Sequence, residues 1–231
     1  MTASTSALQQ KNAKHLIQSF SDLSYMNNPE ETHIISRADG VYIYDNDGKK
    51  ILDSMSGLWC VNMGYGQQSI IKAVNEQMKE LVYYNNFFGS SHPAAIKLSE
   101  MIADKTPDGM NKVYFCGSGS EANDTVVRLS RHYWAAKGKP SKSVIISRKN
   151  AYHGSTMAGA SLGGMSAMHA QGGLPIADIE HIEQPYYYDA CVEAGGKIDE
   201  DDFGIKVAPV SYTHLRAHET EADLVCRLLL E

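Results

Sequence analysis

The chain has 231 residues, 43% apolar and 21% charged, with a formal charge of −6, which leaves room for one large domain or two modest ones of ordinary globular composition. That acidic balance, with no basic patch interleaved with aromatics, argues against a nucleic-acid partner. No run reaches the roughly 20 apolar residues of a membrane span, and MTASTSALQQKNAKH lacks the apolar core of a signal peptide. Residues 7–26 are predicted as a surface helix that buries Leu8, Leu16, Ile17, Phe20 and Leu23. HIISRADGVYIYDNDGKKILDS alternates as strands do, with turn signals at Ala38-Asp39-Gly40 and Asn46-Asp47-Gly48, so a small antiparallel unit follows. Beyond the Gly-rich SGLWCVNMGYGQQS, the spacing of Ile70, Val74, Met78 and Leu81 predicts an amphipathic helix over 67–82. Pro93 opens the next helix, PAAIKLSEMIADKTP. Residues 112–116 read as a short apolar strand, 120–137 as a helix, and SVIISR at 143–148 as a second strand. Strands alternating with helices are the pattern of a parallel α/β sheet. From about 163 to 204 the chain reads as loop-rich, and no internal repeat is present.

Chemistry concentrates where the strand at 112–116 hands over to a helix through Gly117-Ser118-Gly119-Ser120. The first N–H groups of a helix have no intrahelical partner, and the helix dipole adds partial positive charge there. Two glycines clear the approach and two serines add hydroxyl donors, which together suit a phosphate or another anion. An equally open reading is that Ser120 caps the helix and the glycines only make the turn. GxGxxG lacks its third glycine, since Ala122 stands there, and no Gly-Lys-Ser/Thr of a P-loop is present. Tyr152, in NAYHGST, stands at the exit of the second strand, where open α/β sheets bind ligands. A flat ring there can stack on a planar cofactor. Trp59 and Phe87 lie in two further loops, each as open to a core reading as to a pocket one. Cys60, Cys116, Cys191 and Cys226 are far apart with no Cys-x-x-Cys pair, so reduced thiols in a cytoplasmic protein are expected.

Three stretches, DGVYIYDNDGKKILDSMSGLWCVNMGYG, NKVYFCGSGSEANDTVVRLSRHY and NAYHGSTMAGASLGG, in this order and spacing, resemble the class III aminotransferases. Their nearest likeness is to the ω-amino-acid:pyruvate transaminases, and it runs from about residue 5 to about 207. The resemblance implies an α/β protein, a pyridoxal-phosphate-dependent transferase of fold type I. Here it would be incomplete: a small N-terminal α+β segment over 1–65 and the first part of the large parallel-sheet domain over 66–208. It implies pyridoxal 5'-phosphate as cofactor, held by Ser118, Gly119 and Ser120, with Tyr152 stacked on its ring. Trp59, Phe87 and Tyr152 would line the amine pocket, Phe87 reaching the partner's site in a homodimer. His153 receives no catalytic role. The implied reaction passes an amino group from an amine or ω-amino acid to pyruvate or a similar keto acid.

The family's chains are roughly twice this length, and no lysine here stands in the motif of the Schiff-base lysine, so no catalytic residue is assigned. Lys142 and Lys149 read as solvated surface charges. After DDFGIKVA the tail over 209–231 resembles translated adapter sequence rather than the family. Within it, His214 and His218 with Glu219 do not follow the HExxH order, and no metal is expected. An N-terminal fragment with a foreign tail, unstable and inactive alone, is the expectation. Class III relatives also include aminomutases and decarboxylases, and a non-catalytic anion- or nucleotide-binding α/β module is the alternative from another class.

Overall fold

Ser4 starts the first helix: its hydroxyl accepts from the N–H of Ala7 (3.3 Å), one of the donors a helix start leaves unpaired. In the computed structural model, which describes residues 3–193 and 195–204, this helix, α1, runs Thr5–His15 and buries Ala13. It ends well short of residue 26. Ser21 Oγ donates to the carbonyl of Ser19 (3.3 Å), and Asp22 Oδ1 accepts from the N–H of Ser24 (2.8 Å), opening a 3-10 turn at Leu23–Met26. Such local side-chain bonds compete with helix. Leu16, Ile17, Phe20 and Leu23 are therefore exposed, contrary to the sequence expectation.

Strands β1 (Ile35–Asp39), β2 (Tyr42–Asp45) and β3 (Lys50–Leu52) form the expected antiparallel sheet in the order β1-β2-β3. Cations cover two of its rings: Arg37 lies 3.6 Å from the centre of Tyr44, and the Lys50 ammonium 3.8 Å from that of Tyr42. A single turn, α2 (Ser56–Trp59), follows, and then α3 (Gln68–Glu80), whose Ile70, Val74 and Met78 are exposed. The structure divides into two compact units, one extending to Pro93 and a second beginning at Ala94.

The second unit holds all but the first residue of α4 (Pro93–Ala103), and α5 (Gly119–Ala136), β4 (Ile145–Arg148), α6 (Met157–Leu162), α7 (Ser166–His169), β5 (Ile179–Ile182) and α8 (Tyr187–Glu193). Residues 112–116 are not a strand. A strand needs a ladder partner, and none lies beside them among the described residues, so Tyr114 and Phe115 stay exposed. The second sequence-assigned strand does find one: β4 pairs in parallel with β5, Ile145 opposite Ile179 and Arg148 opposite Ile182. Val127, Ala158, Leu162 and Ile179 pack together, with Ile145 and Ile176 against them, so α5 and α6 share a core with the sheet. Arg131 ties the same elements: its Nε donates to the Ser143 carbonyl (3.1 Å) and its Nη2 to that of Ala177 (2.7 Å). The tail from 209, with His214 and His218, lies outside the described residues.

Candidate active site

At the head of α5, Ser118 takes the extended backbone of an N-cap, φ −160° and ψ 163°, and its Oγ accepts from the N–H of Glu121 (3.2 Å). Glu121 reaches back to accept from the N–H of Gly117 (2.6 Å). This reciprocal arrangement is a capping box moved by one residue. The N–H groups of Gly119 and Ser120 have no protein acceptor among the described residues. Ser120 Oγ accepts from the N–H of Ser155 (3.2 Å). Both hydroxyls thus accept inside the protein and keep their own O–H to donate, and a bond accepted strengthens the one donated. Two backbone N–H groups, two hydroxyl donors and the positive end of an 18-residue helix suit a phosphate.

The loop carrying Tyr152 is clipped onto this helix head. Asn123 Nδ2 donates to the carbonyl of His153 (2.6 Å), and Ser155 is held by Ser120 as above. Asp124 Oδ1 accepts from the Thr156 hydroxyl (2.7 Å) and the N–H of Gly159 (3.2 Å). Gly154 permits the approach: its φ is +122°, and a Cβ there would lie 2.8 Å from the Cα and Cβ of Ser120. Tyr152, half exposed, is thereby presented on a loop fixed, just after it, to the helix that carries Ser118, Gly119 and Ser120. Sequence reading selected those four residues. It missed Asn123, Asp124 and Thr156, although a Thr just ahead of MAGASL is an N-cap signal.

Trp59 and Phe87 belong to the first unit, the other four residues to the second. Trp59 ends α2, where Ser56, Gly57, Leu58 and Trp59 all have positive φ, +48°, +58°, +61° and +65°. The residue is 76% exposed, so it fills no core. Phe87 is exposed beside Phe88, ring centres 6.1 Å apart, and its N–H is held by Asn85 Oδ1 (2.9 Å).

Residues 25–208 match the family model for aminotransferase class III. The chain is 52% identical over 206 residues to the putrescine–pyruvate aminotransferase of Pseudomonas aeruginosa, covering 89% of this chain and 44% of that protein. A transaminase structure from directed evolution by ancestral reconstruction superposes with a TM-score of 0.86 at 36% identity, over 92% of this chain and 46% of that one. A thermostable ω-transaminase with one tryptophan changed to glycine, engineered for asymmetric synthesis of enantiopure bulky amines, superposes at 0.85 and 34% identity, over 91% and 46%. This chain thus spans less than half the length of each. The family depends on pyridoxal phosphate, and the partial sheets with their helices are an incomplete fold type I. With a family model over most of its length and half its residues shared with a transaminase, the chain belongs to the class III aminotransferases.

Proposed function

We propose that this chain is the N-terminal portion of a transaminase that moves an amino group from an amine or ω-amino acid to pyruvate or a similar keto acid. The carrying observation is the head of α5 with its two unpartnered N–H groups and two serine hydroxyls, joined by side-chain bonds to the Tyr152 loop. Pyridoxal phosphate, when bound, supplies the electron sink for the pair left behind when the amine carbon loses its proton. Gly119 and Ser120 hold the phosphate through backbone N–H, Ser118 and Ser120 through O–H, and Tyr152 covers the ring. Trp59 and Phe87 wall the space for the amine's side group. An engineered relative whose tryptophan became glycine, made for bulky amines, supports a tryptophan in that role. The relative named for putrescine and pyruvate supports a diamine donor and pyruvate acceptor. The Schiff-base lysine is assigned to the part of the family's length that this chain does not span. A homodimer fits the exposed Phe87 and Phe88. A cytoplasmic setting fits the free thiols of Cys60, Cys116 and Cys191 and the absence, among described residues, of a helix long and apolar enough to cross a membrane.

The test is to read the source gene beyond codon 207, express the longer product and measure its visible cofactor absorbance and putrescine-to-pyruvate turnover. We expect a coloured protein whose cofactor retention falls roughly tenfold or more in Ser120→Ala/Tyr152→Ala, since about 1.4 kcal/mol of lost contact is a factor of ten. A colourless product, or one that keeps its cofactor undiminished in the double variant, would overturn the proposal.

A further inference from the structure

Four successive positive φ values at Ser56–Trp59 need an external constraint, because L-residues seldom string together in the left-handed region. The turn's own backbone bonds, Trp59 N–H to the Met55 carbonyl (2.8 Å) and Cys60 N–H to that of Ser56 (2.9 Å), close it without choosing its hand. Asp53 supplies that choice. Its Oδ2 accepts from the Gly57 N–H (2.7 Å) and from the Tyr65 hydroxyl (2.8 Å), and its Oδ1 accepts from the Met55 N–H (3.3 Å). Both partners are fixed to the sheet. Asp53 N–H donates to the Val41 carbonyl (3.0 Å), and Tyr65 exchanges two backbone bonds with Gly40, at 2.7 and 3.2 Å. Gly57 has room for no side chain: a Cβ would lie 2.8 Å from Val61 Cγ2 and 3.1 Å from the Tyr65 hydroxyl.

We propose that Asp53 and Tyr65 form a strut that holds α2 left-handed and so fixes the direction of Trp59, making them positioning residues for the amine pocket. The pocket half of this inference rests on the proposed function; the strut rests on unit geometry alone. The electrostatics agree. The Tyr65 hydroxyl, then the N–H groups of Gly57, Met55 and Ser56, hold the Asp53 carboxyl below its ordinary value of 3.8 against a smaller opposing effect of burial, and Tyr65 is pushed up by the same bond. A depressed carboxyl stabilises above its unfolded value and loses that contribution as pH falls through the folded one. The strut is therefore intact at neutral pH and is lost only as pH falls through the folded value, which lies below the ordinary 3.8.

The 231-residue chain, kept at submicromolar concentration, tests this by time-resolved fluorescence anisotropy. It has two tryptophans, so subtracting the signal of Trp59→Phe isolates Trp59. We expect Asp53→Asn and Tyr65→Phe each to raise the amplitude of fast local motion about twofold, and the double variant to add little, as for two ends of one link. Lys50→Ala, which removes a cation from Tyr42 in the same sheet, should leave the signal unmoved. Should Asp53→Asn fail to fold, Tyr65→Phe, which keeps the carboxylate and removes only the hydroxyl, serves instead: Trp59 loosens and Trp134 does not. Unchanged anisotropy in both single variants, or an equal change in Lys50→Ala, would overturn the strut. In the longer gene product, Tyr65→Phe should lower KM for bulky amines relative to small ones at unchanged cofactor retention. A mobile Trp59 with unaltered amine preference would uphold the strut and overturn Trp59 as pocket wall.

Discussion

Gly154 and Gly119 both belong to the small-residue signature of the site, yet they are glycines for different reasons. A Cβ at Gly154 would press on the backbone and Cβ of Ser120, which cannot swing away as a long side chain would, and φ of +122° already disfavours any L-residue. A Cβ at Gly119 meets nothing within 4 Å, and its helical position favours alanine. Gly154→Ala is therefore expected to destabilise the second unit by about 1–3 kcal/mol, the usual cost of overpacking or a forced dihedral. Gly119→Ala should leave stability unchanged or raise it by up to about 1 kcal/mol. Urea midpoints of the two variants, monitored through Trp134, decide this. If Gly154→Ala is as stable as the unsubstituted chain, the tight seat of the Tyr152 loop on Ser120 is wrong. The phosphate reading of Gly119 would then show separately, as weaker cofactor retention in the longer product.

At the scale of elements, helices α3, α4 and α5, strand β4 and the antiparallel sheet were legible because each carries its period, its cap or its turn residues locally. Others were not: α2 and α6 were not read, and the stretch over 163–204 read as loop-rich holds α7, β5 and α8. The first helix ends at His15 because Ser21 and Asp22 bond their own neighbourhood, while Leu16 through Leu23 keep a helical spacing that the chain does not use. Residues 112–116 look like a strand, but a strand is a property of a pair. Strand β5 hides because Glu180 and His181 interrupt Ile179 and Ile182, the two buried positions that define it. The small-residue turn at 117–120 and Tyr152 were legible as motifs; the clip between them was not, since its bonds join residues 30–35 positions apart. That clip can be measured as an element property. Thr156 caps α6, accepting from Gly159 N–H (3.3 Å) while donating to Asp124. Thr156→Ala and Asp124→Ala should each cost about 1 kcal/mol, typical of a lost cap. Together they should cost less than the sum, because each removes the same hydroxyl–carboxylate bond. Strict additivity in a double-mutant cycle would show that Asp124 and Thr156 do not act as one clasp.

For the whole molecule, the imbalance lies between what is buried and what is left in water. Ile70, Val74 and Met78 follow one stripe of α3 at i, i+4 and i+8, and all three are exposed, as are Trp59, Phe88, Tyr114 and Phe115. The family relatives continue for more than as long again as the part matched here, so their greater length can supply cover that this stripe lacks. A net charge of −6 opposes association but acts weakly at physiological salt, where exposed charges are screened over about 8 Å. Apolar attraction should then win, and at micromolar concentration the chain is expected to self-associate, as species with open apolar surface and unpaired strand edges do. Two outcomes identify the cause. Sulfate should strengthen the association, because it favours apolar burial. Ile70→Glu/Val74→Glu should weaken it without loss of helix signal, because these side chains contribute nothing to a buried core. Light scattering and sedimentation across a concentration series read both. A chain that stays monomeric at micromolar concentration, or association indifferent to the double substitution, would mean that the α3 stripe is not the surface awaiting cover.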